Sequence, residues 1–217
     1  MNTAIALGRT KTFLDKITGC SSQASNQAAI VWRALRPRLT LSRDMASDNR
    51  RARLAKNVIA ANLPRPTKYL EIGSFEGASL AFLHSLLKGN IKATCIDPFQ
   101  NYDEIPATDM SEVEQLFRAN MKALDIHPRI LLGQSIQRLP ELIANDETFD
   151  LIYIDGSHIA LDVMADAVMC WRLLAPSGLM IFDDYRWCKA AINAFVKLVK
   201  NDIEIADVAG QVFLRRV

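Results

Sequence analysis

The sequence predicts an α/β protein: a doubly wound, seven-stranded, mostly parallel sheet with one antiparallel strand, preceded by a helical appendage. Three observations predict it. Short apolar runs alternate with helical patterns through residues 67–200, the pattern of consecutive βαβ units. The first unit, Lys68-Tyr-Leu-Glu-Ile-Gly-Ser-Phe-Glu-Gly77, passes from an apolar run through a glycine-bearing turn into a helical pattern, as the opening of such a sheet does. Two β-runs around Ala209-Gly210 come last, and a terminal hairpin sets one strand against the direction of the others.

Residues 1–62 form the appendage. Val31, Trp32 and Leu35 make one apolar helical face, and Leu54, Val58 and Ile59 make another. Arg33, Arg36, Arg38, Arg43, Arg50, Arg51 and Arg53 crowd this segment. They read first as a solvated helix face; the other reading is a surface for an acidic acceptor or for a second subunit in a homodimer. Leu63-Pro-Arg-Pro66 ends the appendage, because proline does not continue a helix. Residues 63–217 are then the main domain.

Strand 1 is expected over 68–72 and a helix from about 77 to 88, stopped at Gly89. Strand 2 covers 91–96 and ends at Asp97-Pro98. Ser111 with Glu114 reads as a capping box, opening a helix that carries Val113, Leu116, Phe117, Met121 and Leu124. Strand 3 covers 129–132, and a short helix starts near Pro140. Strand 4, 149–154, is almost continuously apolar, as a strand covered on both faces should be. A helix over 161–174, a turn at Ala175-Pro-Ser-Gly178 and strand 5 over 179–182 follow. A helix over 189–200 presents Ala191, Ala194, Phe195 and Leu198, and the final β-runs are 203–207 and 211–216.

The chain has 217 residues, half of them hydrophobic and 23% charged, with a net charge of +2. That is an ordinary soluble, globular composition, and the charge argues against nucleic acid as an obligatory partner. No run of 18 apolar residues occurs, so neither a membrane span nor a membrane partner is expected. Cys20, Cys95, Cys170 and Cys188 make no C-x-x-C pair, which suits free thiols in a reducing, cytoplasmic setting.

Chemistry is expected where strands 1, 2, 4 and 5 end. In Glu71-x-Gly73-x-x-x-Gly77 the glycines admit a ligand close to the backbone, and the next helix offers amide donors to an anion. The spacing differs from G-x-G-x-x-G, which weakens a dinucleotide reading. Asp97 at the end of strand 2 suits a ribose diol. Asp155-Gly-Ser-His158 and Asp183-Asp184 bring three carboxylates to adjacent strand ends. Such a set repels itself unless a cation sits within it, and hard oxygen ligands suit Mg²⁺. The alternative is that one aspartate faces the cleft and the others cap helices. His158, one helical turn beyond Asp155, suits a general base, while His84 and His127 look structural.

Residues 67–200 resemble a class I S-adenosylmethionine-dependent methyltransferase, and more closely the small metal-dependent O-methyltransferases. The resemblance rests on Glu71-Ile-Gly-Ser-Phe-Glu-Gly77, Cys95-Ile-Asp-Pro-Phe99, Phe149-Asp-Leu-Ile-Tyr-Ile-Asp-Gly-Ser-His158 and Leu179-Met-Ile-Phe-Asp-Asp-Tyr185. The last two are similar to antibiotic-sugar O-methyltransferases; catechol O-methyltransferase is a more distant relative. The resemblance implies a Rossmann-like fold and S-adenosylmethionine as cofactor. It implies that Glu71, Gly73 and Ser74 hold the cofactor's methionine end within the turn closed by Gly77, with Ser79 near its carboxylate. Asp97 takes the ribose hydroxyls and Ser135 lies by the adenine. Asp155, beside the cofactor, joins Asp183 and Asp184 on a divalent cation, most readily Mg²⁺, and His158 is the base for a hydroxyl of a small-molecule acceptor. The other readings are a metal-independent N- or C-methyltransferase and a non-catalytic cofactor-binding module acting through the arginine-rich helices.

Overall fold

A computed structural model describes residues 21–42, 48–100 and 110–217. Cys20 and Arg43 lie outside the described residues, as do residues 101–109 after strand 2. Among the described residues no helix is long and apolar enough to cross a membrane.

The chain runs α1 (Ser21–Leu35), a 3₁₀ turn (Arg36–Arg38), α2 (Asp48–Ala61), β1 (Thr67–Ile72), α3 (Ala78–Leu86), β2 (Ile91–Asp97), α4 (Met110–Ala123) and β3 (Arg129–Leu132). It continues α5 (Ser135–Ala144), β4 (Phe149–Ile154), α6 (Ala160–Leu173), β5 (Leu174–Phe182), α7 (Tyr185–Val199), β6 (Ile203–Val208) and β7 (Val212–Arg216). The sheet order is β3-β2-β1-β4-β5-β7-β6. Strands β1 to β5 pair in parallel, and β7 is antiparallel to both neighbours. The chain reverses its winding between β1 and β4, the point where open α/β sheets bind ligands.

Successive strand residues face opposite sides of the sheet, and both sides are covered. Tyr69, Cys95, Leu151, Tyr153, Leu179, Ile181 and Phe213 pack with apolar residues of α1 to α4. Leu70, Ile96, Ile152, Ile154, Met180, Phe182 and Leu214 pack with α5, α6 and α7. Two-sided burial is why the central strands are apolar without alternation. The N-terminal helices are not set apart from this core: Leu35, Leu54, Ala55 and Val58 belong to the same buried cluster as Tyr69.

Four expectations are corrected. The described arginines do not form one solvated face: Arg33 and Arg38 are exposed, whereas Arg51 is 7% exposed and stacks over Trp32 at 4.0 Å, and Arg50 turns to Asp183 and Asp184. Helix α4 is described from Met110, so Ser111 lies within it and not ahead of it, and Glu114 pairs with Arg118 at 2.7 Å. Pro140 lies inside α5, not near its start; the buried Leu139 and Leu142 hold the helix despite the missing N–H. Helix α7 starts at Tyr185, directly after the Asp183-Asp184 pair, and β5 absorbs the expected turn at 175–178.

Candidate active site

The strand ends are tied in a row. Gly73 N donates to Ile96 O (3.0 Å), Asp155 N to Ile72 O (2.9 Å), Asp183 N to Ile154 O (3.0 Å) and Gly133 N to Asp97 O (3.1 Å). The residues after β1, β2, β4 and β5 therefore share one rim.

On the β1–β2 side, Glu71 is completely buried and points inward. It accepts from Tyr69 Oη (2.7 Å) and Ser79 Oγ (2.5 Å), and Cys95 Sγ lies at 3.8 Å. Burial pushes its carboxyl above the ordinary value, and the hydroxyls of Ser79, Tyr69 and Ser74 oppose the shift. Asp97 is also buried. Its Oδ2 accepts from Ser74 N (2.8 Å) and Phe75 N (3.0 Å), and its Oδ1 from Phe99 N (2.8 Å). Phe75 and Phe99 both have positive φ, 48° and 44°, which is costly for a bulky side chain; one carboxylate thus holds two strained turns. Ser74 is buried, with its hydroxyl close enough to Glu71 and Cys95 to affect both.

The two turn glycines have structural reasons of their own. At Gly73, φ is 79° and a Cβ would lie 2.0 Å from Asp155 O. At Gly77, φ is 82° and a Cβ would lie 2.6 Å from Met121 Cε. Gly73 is where the β1 and β4 loops touch, and Gly77 is where α4 packs onto the turn.

On the β4–β5 side, Asp183 Oδ2 accepts from Tyr153 Oη (2.6 Å), which accepts in turn from Gln211 Nε2 (3.0 Å). His158 Nε2 lies 3.2 Å from Asp184 Oδ2. The remaining oxygens meet a side chain from the N-terminal helices: Arg50 Nη2 is 2.8 Å from Asp183 Oδ1 and 2.5 Å from Asp184 Oδ1. Burial opposes the charge on Arg50, and the two carboxylates outweigh it, so the guanidinium stays protonated. His158, followed by Arg50, draws the Asp184 carboxyl below its ordinary value. Asp183 is raised by burial despite Arg50, and Asp155 is raised well above normal by burial and then by Asp183 and Asp184. Asp184 itself adopts a left-handed backbone (φ 47°) ahead of α7. Trp187, 76% exposed, lies with its ring 6.0 Å from that of His158.

The structure thus gathers His158, Asp183 and Asp184 around Arg50, with Asp155 on the same rim. It does not arrange the three aspartates around an ion: among the described residues no three His, Cys, Asp or Glu side chains converge in a way that would hold one. Ser135 heads α5 and its hydroxyl faces Asp166. Asp166 is 2% exposed, has an unpartnered Oδ1, and lies beneath Gly156, where a Cβ would be 3.9 Å from its Oδ2. Burial pushes its pKa up to about 6, against Ser135, which lowers it.

Sequence reasoning missed Arg50, Tyr153 and Asp166 as parts of this rim. Asp166 had a readable signal: it falls between Val163, Ala167 and Cys170 on the buried face of α6. Arg50 had none, since nothing local distinguishes it from its neighbouring arginines.

A protein-family profile described as "Methyltransferase domain" matches residues 70–185, a span that includes every strand end described above except the N-terminal contribution of Arg50. An O-methyltransferase of Aspergillus hancockii, hkm8, is 30% identical over 127 residues, 57% of this chain and 46% of that protein. An uncharacterized protein of Acanthamoeba polyphaga mimivirus, R132, is 27% identical over 144 residues, 60% of this chain and 58% of that one. The chain therefore spans about half the length of these curated relatives. Among solved structures, the methyltransferase MycE of the mycinamycin biosynthetic pathway, in complex with Mg, S-adenosylhomocysteine and mycinamycin VI, shares the fold. Its TM-score is 0.58 at 14% identity, covering 88% of this chain and 54% of that one. A glycine turn and a row of acidic strand ends at the sheet's switch point lie within the matched span, and by that match the chain belongs to the methyltransferase-domain family.

Proposed function

We propose that the chain is an S-adenosylmethionine-dependent O-methyltransferase acting on a hydroxyl of a small molecule, a sugar or another diol-bearing acceptor. The observation that carries this reading is His158 Nε2 held 3.2 Å from Asp184 Oδ2 on the rim that also bears the glycine turn. A neutral imidazole oriented by a carboxylate is a proton acceptor.

The β1 turn fits the cofactor. The Ser74 hydroxyl and the N-terminus of α3 are read as donors to a polar amino-acid end, and Asp97, whose Oδ1 takes the Phe99 amide and keeps a second lone pair, as the acceptor for a diol. When bound, the cofactor supplies an electrophilic methyl on a positively charged sulfur. The chain's own residues do the rest. His158, its Nε2–H donating to Asp184 Oδ2, takes the acceptor's hydroxyl proton at Nδ1, Asp184 stabilises the imidazolium that forms, and the exposed Trp187 ring beside His158 covers the acceptor. Catalysis is then mostly positioning, for which effective molarities can reach about 10⁵ M or more.

Metal dependence was the sequence expectation, and MycE was solved with Mg. Aspartate oxygens are suitable donors for such an ion. Here, however, Asp183 and Asp184 hold a guanidinium, so their arrangement does not fit a divalent ion and no step is routed through one.

The test is transfer of labelled methyl from S-adenosylmethionine to a panel of sugars, catechols and amines, with calorimetric titration of S-adenosylhomocysteine alongside. Labelled ethers with cofactor binding are expected. Labelled amines alone would replace the reading with N-methylation, and cofactor binding with no transfer to any acceptor would favour a binding module.

A further inference from the structure

Asp183 and Asp184 end β5 with four carboxylate oxygens, and each has a partner inside the chain. Tyr153 takes Asp183 Oδ2, His158 takes Asp184 Oδ2, and Arg50 Nη2 bridges the two Oδ1 atoms at 2.8 and 2.5 Å. The guanidinium side chain is 25% exposed, and those of the aspartates 4% and 26%, so this ion pair is largely withdrawn from water. Bridging two carboxylates in such a setting is a task for which arginine, with its fixed donors and permanent charge, is suited.

The space beside the pair is small. The cavity lined by Asp155, His158, Asp183, Asp184 and Cys188 measures about 10 Å³, room for one water at most. Mg²⁺ takes six ligands in near-ideal octahedral geometry and usually keeps several waters. A dication here would have to displace the Oδ1 contacts of Arg50 and lie against its positive charge.

We propose that Arg50 is the resident cation of this site: it occupies the place on Asp183 and Asp184 that a divalent ion would otherwise take, and the two occupants exclude each other. This deepens the methyltransferase reading and rests on it for its catalytic meaning, which is that the acceptor hydroxyl loses its proton beside a guanidinium. The ion-binding claim stands apart from that reading.

The test is calorimetric titration of Mn²⁺ alone into the full chain and into Arg50→Met and Arg50→Lys. The wild type is expected to show no saturable Mn²⁺ binding at millimolar concentration. Arg50→Met should bind Mn²⁺ at least tenfold more tightly, while Arg50→Lys, which keeps the charge, should still keep the ion out. Equal Mn²⁺ affinity in wild type and Arg50→Met, whether tight or absent, overturns the proposal. Should Arg50→Met melt below the assay temperature, the wild type alone decides through the electron-paramagnetic signal of free Mn²⁺. An undiminished signal supports the proposal and a depleted one overturns it. Titration of S-adenosylhomocysteine on the same samples tests the methyltransferase reading separately, since its failure would leave the Mn²⁺ result intact.

Discussion

At the ends of β1 and β2, Glu71 and Asp97 are satisfied by hydroxyls and main-chain amides lying within 23 positions along the chain. At the ends of β4 and β5, Asp183 and Asp184 depend on partners as far as 134 positions away. Both rims bury carboxylates, which is costly unless each is hydrogen-bonded or paired. The first rim uses neutral donors and leaves Glu71 and Asp97 titrating above their ordinary values. The second uses a permanent cation and an imidazole, and Asp184 is pulled below its ordinary value. The cation does not act equally on its two partners: Asp184, which also meets His158, is lowered, whereas the more deeply buried Asp183 is still raised.

Gly73 is where the two rims meet, and disturbing it should have the largest effect. Gly73→Ala places a Cβ 2.0 Å from Asp155 O at a positive φ. We expect a loss of at least about 5 kcal/mol by chemical denaturation, at the severe end for one substitution, together with loss of S-adenosylhomocysteine binding. A mild variant would mean that the loops do not touch as described.

Next, His158→Ala should lower kcat roughly 10²–10⁴-fold, the usual worth of a positioned base, while cofactor affinity by calorimetry stays within about twofold. A parallel fall in cofactor affinity would move His158 from the charged rim to the cofactor rim.

Asp166 sharpens the comparison because its Oδ1 is buried with no donor. Its folded pKa, about 6, lies above the ordinary 3.8. The stability linked to its proton is therefore complete below pH ~4 and lost as pH rises through ~6, about 3 kcal/mol in all. Asp166→Asn should match wild type at pH 4 and exceed it by up to about that amount at pH 8. A stability difference that stays constant across this range would show that the carboxyl titrates normally.

The smallest effect should come from Tyr153→Phe, which removes the hydroxyl that donates to Asp183 Oδ2 and accepts from Gln211. A cost of about 1–2 kcal/mol is expected, read from the thermal midpoint with cofactor affinity unchanged. A change in cofactor affinity would mean that the two rims are coupled through β4.

Most of the fold was legible because it is written in local pattern. The apolar runs of β3 and β4 have the bounds expected of them, and burial on both faces explains why β4 does not alternate. The reversed β7 follows from the hairpin at Ala209-Gly210. Local signals misled where tertiary packing overrode them: Pro140 sits mid-helix because Leu139 and Leu142 are buried on both sides of it. At the site, the acidic strand ends and His158 could be read from spacing, since βα units place them on one rim. The occupant of the acidic pair could not, because Arg50 belongs to another helix and its meeting with Asp183 is fixed only by how α2 lies on the sheet.

The Asp183 and Asp184 carboxylates take partners from helix α2, from β4 and, through Tyr153, from Gln211 at the hairpin, while Tyr185 N donates to Gly210 O beside them. Contacts of such sequence separation carry the entropy of closing long loops. The geometry of this corner is therefore a property of the assembled sheet and helices together, and no single βα unit could hold it alone.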